Sequence, residues 1–332
     1  MNLKERIALM ARLGEYMKGD DDAWAEAKER AYAANGWFTP EFIRHASLQI
    51  ANNFLAAEKL TAWAAHYHID DNIQPKNVGI IMAGNIPLVG FHDLLSVFIT
   101  GHKQTVKLSS KDSVLMNHLY KVLSEWQPGI AEYIQFAEML KGCDAYIATG
   151  SNNSARAFKE YFGKYPHIIR RNRTSVAVLT GNETTTELNA LSDDIHLYFG
   201  LGCRNVTKLY VPQEYDFVPL LGAFGRYKYF ADHHKYKNNF DYQLSILLLN
   251  NVYYMSSNDA VLLTENKGLF SPISQVFYEY YSDQEKLKKD LGVDTDIQAI
   301  VGKDHRPFGS SQEPGLFTYA DGADTLQFLL GL

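Results

Sequence analysis

Chemical potential in this chain concentrates first in its two cysteines, Cys143 and Cys203. Cys203 lies in YFGLGCRNVTKLYVP, between a helical segment and a strand, directly after Gly200 and Gly202. Glycines let a backbone approach a substrate closely, and a bend of this kind can present a thiol into a cleft. An unpaired cysteine otherwise serves as a small buried hydrophobe, so position alone leaves both readings of Cys203 open. Cys143 opens the strand-like KGCDAYIATG and reads as structural. The Gly200-x-Gly202 spacing lacks the third glycine and the following helix of a dinucleotide fingerprint. Thr149-Gly150-Ser151 is better placed, ending a strand pattern and opening a helix, where N–H groups and the positive dipole end favour a phosphate; a plain capped helix start is the equal alternative. Lys107, in TVKLSSKD, carries a charge at a strand end within reach of a ribose or phosphate, or is an ordinary surface lysine. The 11 histidines include His66 with His68 and His233 with His234, but no second cluster has zinc-ligand spacing, and no metal is expected.

The elements that must position these residues alternate. The first ~75 residues carry apolar positions at helical spacing, such as Phe42, Ile43, Ala46 and Ile50, and read as a helical lead-in. From Val78 the pattern becomes strand VGIIMA, a loop at Gly84 to Pro87, helix FHDLLSVFITG, strand QTVKLSS, a helix around His118 to Trp126, strands YIQFAE and DAYIATG, then helix SARAFKEYF. Such alternation belongs to a parallel α/β sheet. After Arg173 come SVAVLTG, a helix near Leu188 to Phe199 and the strand NVTKLYVP, then LSILLLN, NVYYMSS and AVLLTE as closely spaced strand candidates of a smaller α/β unit.

At 332 residues the chain suggests two domains, and 46% hydrophobic against 21% charged residues exclude a disordered or low-complexity protein. A formal net charge of -6 supplies no field for nucleic acid. Val78 to Thr100 is the best membrane candidate, but Asn85, Pro87, His92 and Asp93 interrupt it. The start, with Lys4, Glu5, Arg6 and Arg12 among its apolar residues, lacks a secretory apolar core. Two cysteines are too few for a disulfide framework, so a cytoplasmic location is the economical expectation.

Taken in order, the segments resemble the aldehyde dehydrogenase superfamily, and within it the LuxC-like fatty acyl-CoA reductases. GNIPL, Gly84 to Leu88, resembles the N-[FI]-P-L oxyanion loop, TVKLSS the strand ending in K-P-S, and IATGS the F-T-G-S turn. GLGCRNVTKLYVP resembles the G-Q-x-C loop and its strand, LFSPISQVFYEYYSD the I-F-G-P segment, and RPFGSSQEPG the P-F-G-G…S-G stretch. The resemblance runs from about Val78 onward. It implies an α/β fold of the aldehyde dehydrogenase type, with a Rossmann-type cofactor domain plus a smaller α/β catalytic domain. The expected division is 1–199, comprising the lead-in 1–75 and the cofactor domain, and 200–332, the thiol domain with a C-terminal segment returning toward the cofactor domain.

Carried over, the resemblance makes Cys203 the nucleophile and Asn85 the oxyanion donor. Lys107, Ser109 and Ser110 fall at the cofactor ribose, Thr149, Gly150 and Ser151 in the cofactor groove, and Phe270 near the nicotinamide. Departures from the pattern are informative. RRNRTS puts Arg170 or Arg171 where hydrolytic members carry the glutamate that activates water, which implies acyl exchange with a thiol. Ser110 replaces the carboxylate that binds the adenosine ribose, which removes repulsion toward a 2′-phosphate and favours NADPH. Gly268 stands where E-I-F-G-P has glutamate, leaving out one nicotinamide-ribose contact. The expected activity is NADPH-dependent reduction of an acyl-CoA, or acyl-protein, thioester to an aldehyde. Reduction of an acyl phosphate, with Arg204 near the anion, and non-reducing acyl transfer are the alternatives. A homodimer stays open.

Overall fold

The computed structural model describes residues 1–257 and 260–332. The chain divides into two compact units, Met1–Asn172 with Pro314–Leu332, and Arg173–Glu313.

The first unit opens with four helices, α1 (Leu3–Lys18), α2 (Asp22–Ala34), α3 (Pro40–Asn53) and α4 (Ala57–His66). An α/β series follows: β1 (Asn77–Ile81), α5 (Phe91–Thr100), β2 (Lys103–Lys107), α6 (Ser113–Trp126), β3 (Ile134–Phe136), β4 (Ala145–Thr149), α7 (Asn152–Phe162) and β5 (His167–Arg170). The strands form one parallel sheet in the order β3-β2-β1-β4-β5. From β1 the chain builds outward through β2 and β3, then returns to the other side of β1 with β4. The topological switch point therefore lies between β1 and β4, where open α/β sheets open a crevice beyond the carboxyl ends of their strands.

The N-terminal helices are more than a lead-in. Asn2 and Glu5 form a capping box that starts α1, and Met10, Leu13, Trp24 and Trp63 are fully buried in the same core as β1 and α5. Arg6, 3% exposed, reaches from α1 to the end of α5, where its Nη2 donates to the Ile99 carbonyl at 3.1 Å. A cation there meets the negative end of the helix dipole. The helix stops at Gly101, whose φ of +86° favours glycine and where a Cβ would come within 3.2 Å of the Arg6 guanidinium.

The second unit contains β6 (Thr174–Val178), α8 (Thr185–His196), β7 (Val206–Pro212), α9 (Val218–Phe224), α10 (His234–Leu249), β8 (Met255–Ser257), β9 (Val261–Glu265), β10 (Gln275–Tyr281), α11 (Gln284–Val293) and β11 (Ile297–Gly302). Its sheet runs β11-β6-β7-β10-β9-β8, parallel except for the last pair. A final helix, α12 (Thr325–Leu330), belongs to the first unit, with Leu326 and Leu329 fully buried.

Two expectations differ from this arrangement. LSILLLN, taken as a strand, is the last part of α10, which buries Leu247 while Leu248 and Leu249 stay 57% and 82% exposed. The anticipated division at 199/200 falls inside the second unit, because β6 pairs with both β7 and β11 and carries α8 with it.

Burial in the second unit sets up a pH dependence. His196 is buried among Phe224, Tyr227 and Phe230, its ring stacked 4.5 Å from that of Tyr227. Its Nδ1–H donates to the Ser192 carbonyl at 2.7 Å, which leaves Nε2 as a bare acceptor without a hydrogen-bond partner. Burial lowers its pKa to about 4. The unfolded chain takes up this proton near pH 6.5 and the folded chain does not, so the associated stability is present above pH 6.5 and is lost as pH falls toward 4. Replacing His196 by phenylalanine removes this dependence. Between pH 7 and pH 4 the parent should lose about 3 kcal/mol more than the variant. Urea unfolding of both at the two pH values measures it, and equal losses would contradict the assignment.

Candidate active site

The resemblance-derived cofactor residues of the first unit gather at one edge of its sheet. Gly84–Leu88 follows β1, Lys107–Ser110 follows β2, and Thr149–Ser151 follows β4, so the carboxyl ends of three adjacent parallel strands bring them together. The β1 and β4 loops flank the switch point. Lys107 and Ser110 are exposed and Ser109 half-buried, which leaves an ammonium and two hydroxyls on one short segment. No carboxylate lies within Lys107–Lys111. Such donors can hydrogen-bond the hydroxyls of a sugar or the oxygens of a phosphate.

At Thr149-Gly150-Ser151 two backbone donors have partners within the protein. The Gly150 N–H donates to the Arg170 carbonyl at 3.2 Å, and the Ser154 N–H is capped by Ser151 Oγ at 3.2 Å. Gly150 is also a glycine for an internal reason, since a Cβ there would come within 2.8 Å of Ser154 and 2.9 Å of Phe158. Ser151 is thus a helix N-cap first.

Asn85 is half-buried in a loop held by its neighbours. Leu88 adopts φ +57°, unusual for a leucine, and its N–H donates to Asp112 Oδ2 at 2.7 Å. Asp112 is 5% exposed, and burial pushes its carboxyl well above the usual range although the Leu88 bond opposes this. A Cβ on Gly84 would clash with Ser109 Oγ and lie 3.2 Å from Asp112 Cβ. Only glycine permits so close an approach of the Asn85 loop to the Lys107–Asp112 segment. Asp112 and the Gly84 contact are features the sequence did not single out; an aspartate in a polar run before a helix carries no signal of burial.

Arg170 is 3% exposed, with Nη1 on Asp93 Oδ2 at 2.6 Å and Nη2 on Thr325 Oγ1 at 2.8 Å. It ties β5 to α5 and α12 inside the first unit, a structural role, while Arg171 is exposed.

In the second unit Cys203 is half-buried and precedes β7, at the amino edge of the sheet. Tyr198 and Phe199 both have φ +56° and Gly200 has φ +73°. Two consecutive left-handed non-glycine residues cost roughly 1–3 kcal/mol apiece and persist only where the surroundings over-determine them. Hydrogen bonds to backbone carbonyls fix the thiol turn: Asn205 N–H donates to the Gly202 carbonyl at 3.0 Å, and Ser175 Oγ donates to the Cys203 carbonyl at 3.1 Å. Phe270, 44% exposed, precedes the neighbouring parallel strand β10, and Thr207 Oγ1 donates to the Leu269 carbonyl at 2.6 Å. The thiol segment and the Phe270 segment are therefore joined at one edge. RPFGSS is fastened to α8 by Asp194, fully buried, whose carboxylate accepts from Gly309 N–H at 2.6 Å and Ser311 N–H at 2.9 Å. Burial raises the Asp194 pKa against those bonds.

Cys143 is 4% exposed, lies 3.7 Å from Asn77 Nδ2, and burial pushes its thiol up. Among the described residues no group of three His, Cys, Asp or Glu side chains comes together to hold a metal, and no helix is long and apolar enough to cross a membrane.

No family model and no curated protein sequence matches the chain. Solved structures do. Aldehyde dehydrogenase 21 from Physcomitrella patens, in complex with the reaction product succinate, superposes with a TM-score of 0.71 at 11% identity, over 100% of this chain and 84% of that one. An aldehyde dehydrogenase of Mycobacterium tuberculosis complexed with NAD+ gives 0.62 at 14% identity, over 86% and 70%. One from Bacillus cereus gives 0.62 at 12%, over 89% and 70%. The chain thus has the α/β fold of the aldehyde dehydrogenases.

Proposed function

We propose that the protein reduces an acyl thioester, of acyl-CoA or an acylated protein, to an aldehyde at the expense of NADPH. One observation carries the reading: of two cysteines, the one in the thiol loop is half-buried on a strained, hydrogen-bonded turn beside the Phe270 segment, while the other is sealed and structural. The fold and the M. tuberculosis neighbour's NAD+ support a nicotinamide cofactor.

In this reading Cys203 attacks the thioester carbonyl as thiolate, a carbon–sulfur bond forms, and the negative charge that develops on oxygen is met by the Asn85 carboxamide. CoA thiolate leaves and the acyl group stays on Cys203. When bound, NADPH supplies the hydride that brings the acyl carbon to the aldehyde level. Cys203 then departs as thiolate and the carbonyl re-forms. Lys107, Ser109 and Ser110 hold the cofactor ribose, and Phe270 limits the freedom of the nicotinamide end. Ser110, in a segment Lys107–Lys111 without a carboxylate, supports the choice of NADPH, since no charge of that segment opposes a 2′-phosphate. The residues Arg170–Arg173 contain no carboxylate to activate water, which favours release to a thiol over hydrolysis.

A panel of acyl-CoAs of increasing length, followed by loss of NADPH absorbance, tests the proposal. Turnover with at least one member, and an acyl adduct on the Cys203 peptide by mass spectrometry when NADPH is withheld, are the expected results. NADPH consumed with an acyl phosphate and no acyl-CoA would assign the alternative substrate. An adduct without NADPH binding at millimolar concentration would make the protein an acyl carrier or transferase.

A further inference from the structure

We propose that Asn205 is a positioning residue for Cys203, a role that rests on reading Cys203 as the nucleophile. Asn205 is fully buried, two residues beyond the thiol, and its side chain spans the strained turn. Oδ1 accepts the Gly202 N–H at 2.8 Å, on the thiol side. Nδ2 donates to the carbonyls of Leu197 at 2.7 Å and of Asp194 and Ile195 at 3.2 Å each, on the helix side. Between those two anchors lie Tyr198, Phe199 and Gly200, all left-handed.

A helix leaves its last carbonyls without intrahelical partners, and buried carbonyls need donors. Asn205 supplies them at the end of α8. It differs from an ordinary helix cap in what the other end of the amide does: the same group that satisfies α8 also receives the N–H of the residue just before Cys203. The carboxamide is therefore a strut of fixed length between the helix end and the nucleophile. Its own backbone joins in, since the Asn205 carbonyl accepts the Ser175 N–H at 3.1 Å while Ser175 Oγ holds the Cys203 carbonyl. Remove the strut and the three left-handed residues lose the contact that keeps their two ends in register; the thiol then samples positions away from the attacking one.

The test uses the full chain in a Cys143→Ala background, so that Cys203 is the sole thiol. Asn205→Ala should slow alkylation of Cys203 by iodoacetamide, and lower kcat, by about 10- to 100-fold, with KM for NADPH unchanged. Melting curves and near-ultraviolet circular dichroism identify the folded fraction to which the rates are normalised. Asn205→Asp adds a readout that a passive helix cap would not move. As a neutral acid it accepts from Gly202 and donates one hydrogen bond to Leu197; ionised, it donates none and faces three carbonyl oxygens. Its alkylation rate relative to the parent should rise as pH is lowered from about 9 to 6. An Asn205→Ala protein that folds and alkylates within twofold of the parent overturns the proposal. Should the alanine variant not fold, a relative rate for Asn205→Asp that is flat with pH overturns it. Alkylation needs neither thioester nor cofactor, so a parent that alkylates at Cys203 but reduces no acyl-CoA contradicts the proposed substrate and not the role of Asn205.

Discussion

Cys203→Ala should abolish acyl-enzyme formation and lower the proposed NADPH-dependent reduction by on the order of 10³-fold or more, whereas Cys143→Ala should change neither. The contrast follows from environment. A reactive cysteine needs solvent access and a route to thiolate; Cys203 is half-buried on an edge loop, and Cys143 lies 4% exposed with its pKa raised by burial. Loss of the sulfur removes the covalent bond itself, so no relaxation of the loop compensates. Mass spectrometry of protein mixed with acyl-CoA, together with steady-state rates, reads both parts. Turnover retained in the Cys203 variant would remove the covalent mechanism, and loss in the Cys143 variant would move the site to the first unit.

Asn85→Ala ranks second in expected size. Losing one oxyanion donor typically costs about 10²- to 10³-fold in kcat, because the donor acts where charge appears in the transition state and contributes little to ground-state binding. NADPH affinity should stay within about twofold, since Lys107, Ser109 and Ser110 sit on a different loop and the Asn85 loop keeps its shape through Leu88 and Asp112. Fluorescence titration of NADPH beside kcat separates the two effects. A variant with normal kcat and weakened NADPH binding would give Asn85 a different role.

The strand-helix alternation from Val78 to Phe162 was legible because its apolar runs are short and bounded by Gly, Pro or polar residues, and the strands β1 and β4 are buried over most of their length. LSILLLN misled for the opposite reason: a short apolar run has no period that separates strand from helix, and here part of it is not buried at all. The boundary between the units was not readable, since it depends on β6 pairing with strands far along the chain, and no Pro- or Gly-rich linker marks it. Among the candidate site residues, Cys203 and Asn85 stood out through motifs. Asp112 and Asn205 did not, because their importance lies in what their side chains bridge after folding, and a lone Asp or Asn in a loop resembles any other.

The first unit is split along the chain, and this bears on how it comes into being at the ribosome. Arg170 finds its Thr325 partner, the His102 ring its Leu329 carbonyl and the Trp63 indole its Tyr319 hydroxyl only in residues made after the whole of Arg173–Glu313. The unit begun first is consequently finished last, and the nascent chain must keep those buried polar groups waiting through some 140 residues of translation, while the continuous unit has all its strands as soon as β11 emerges.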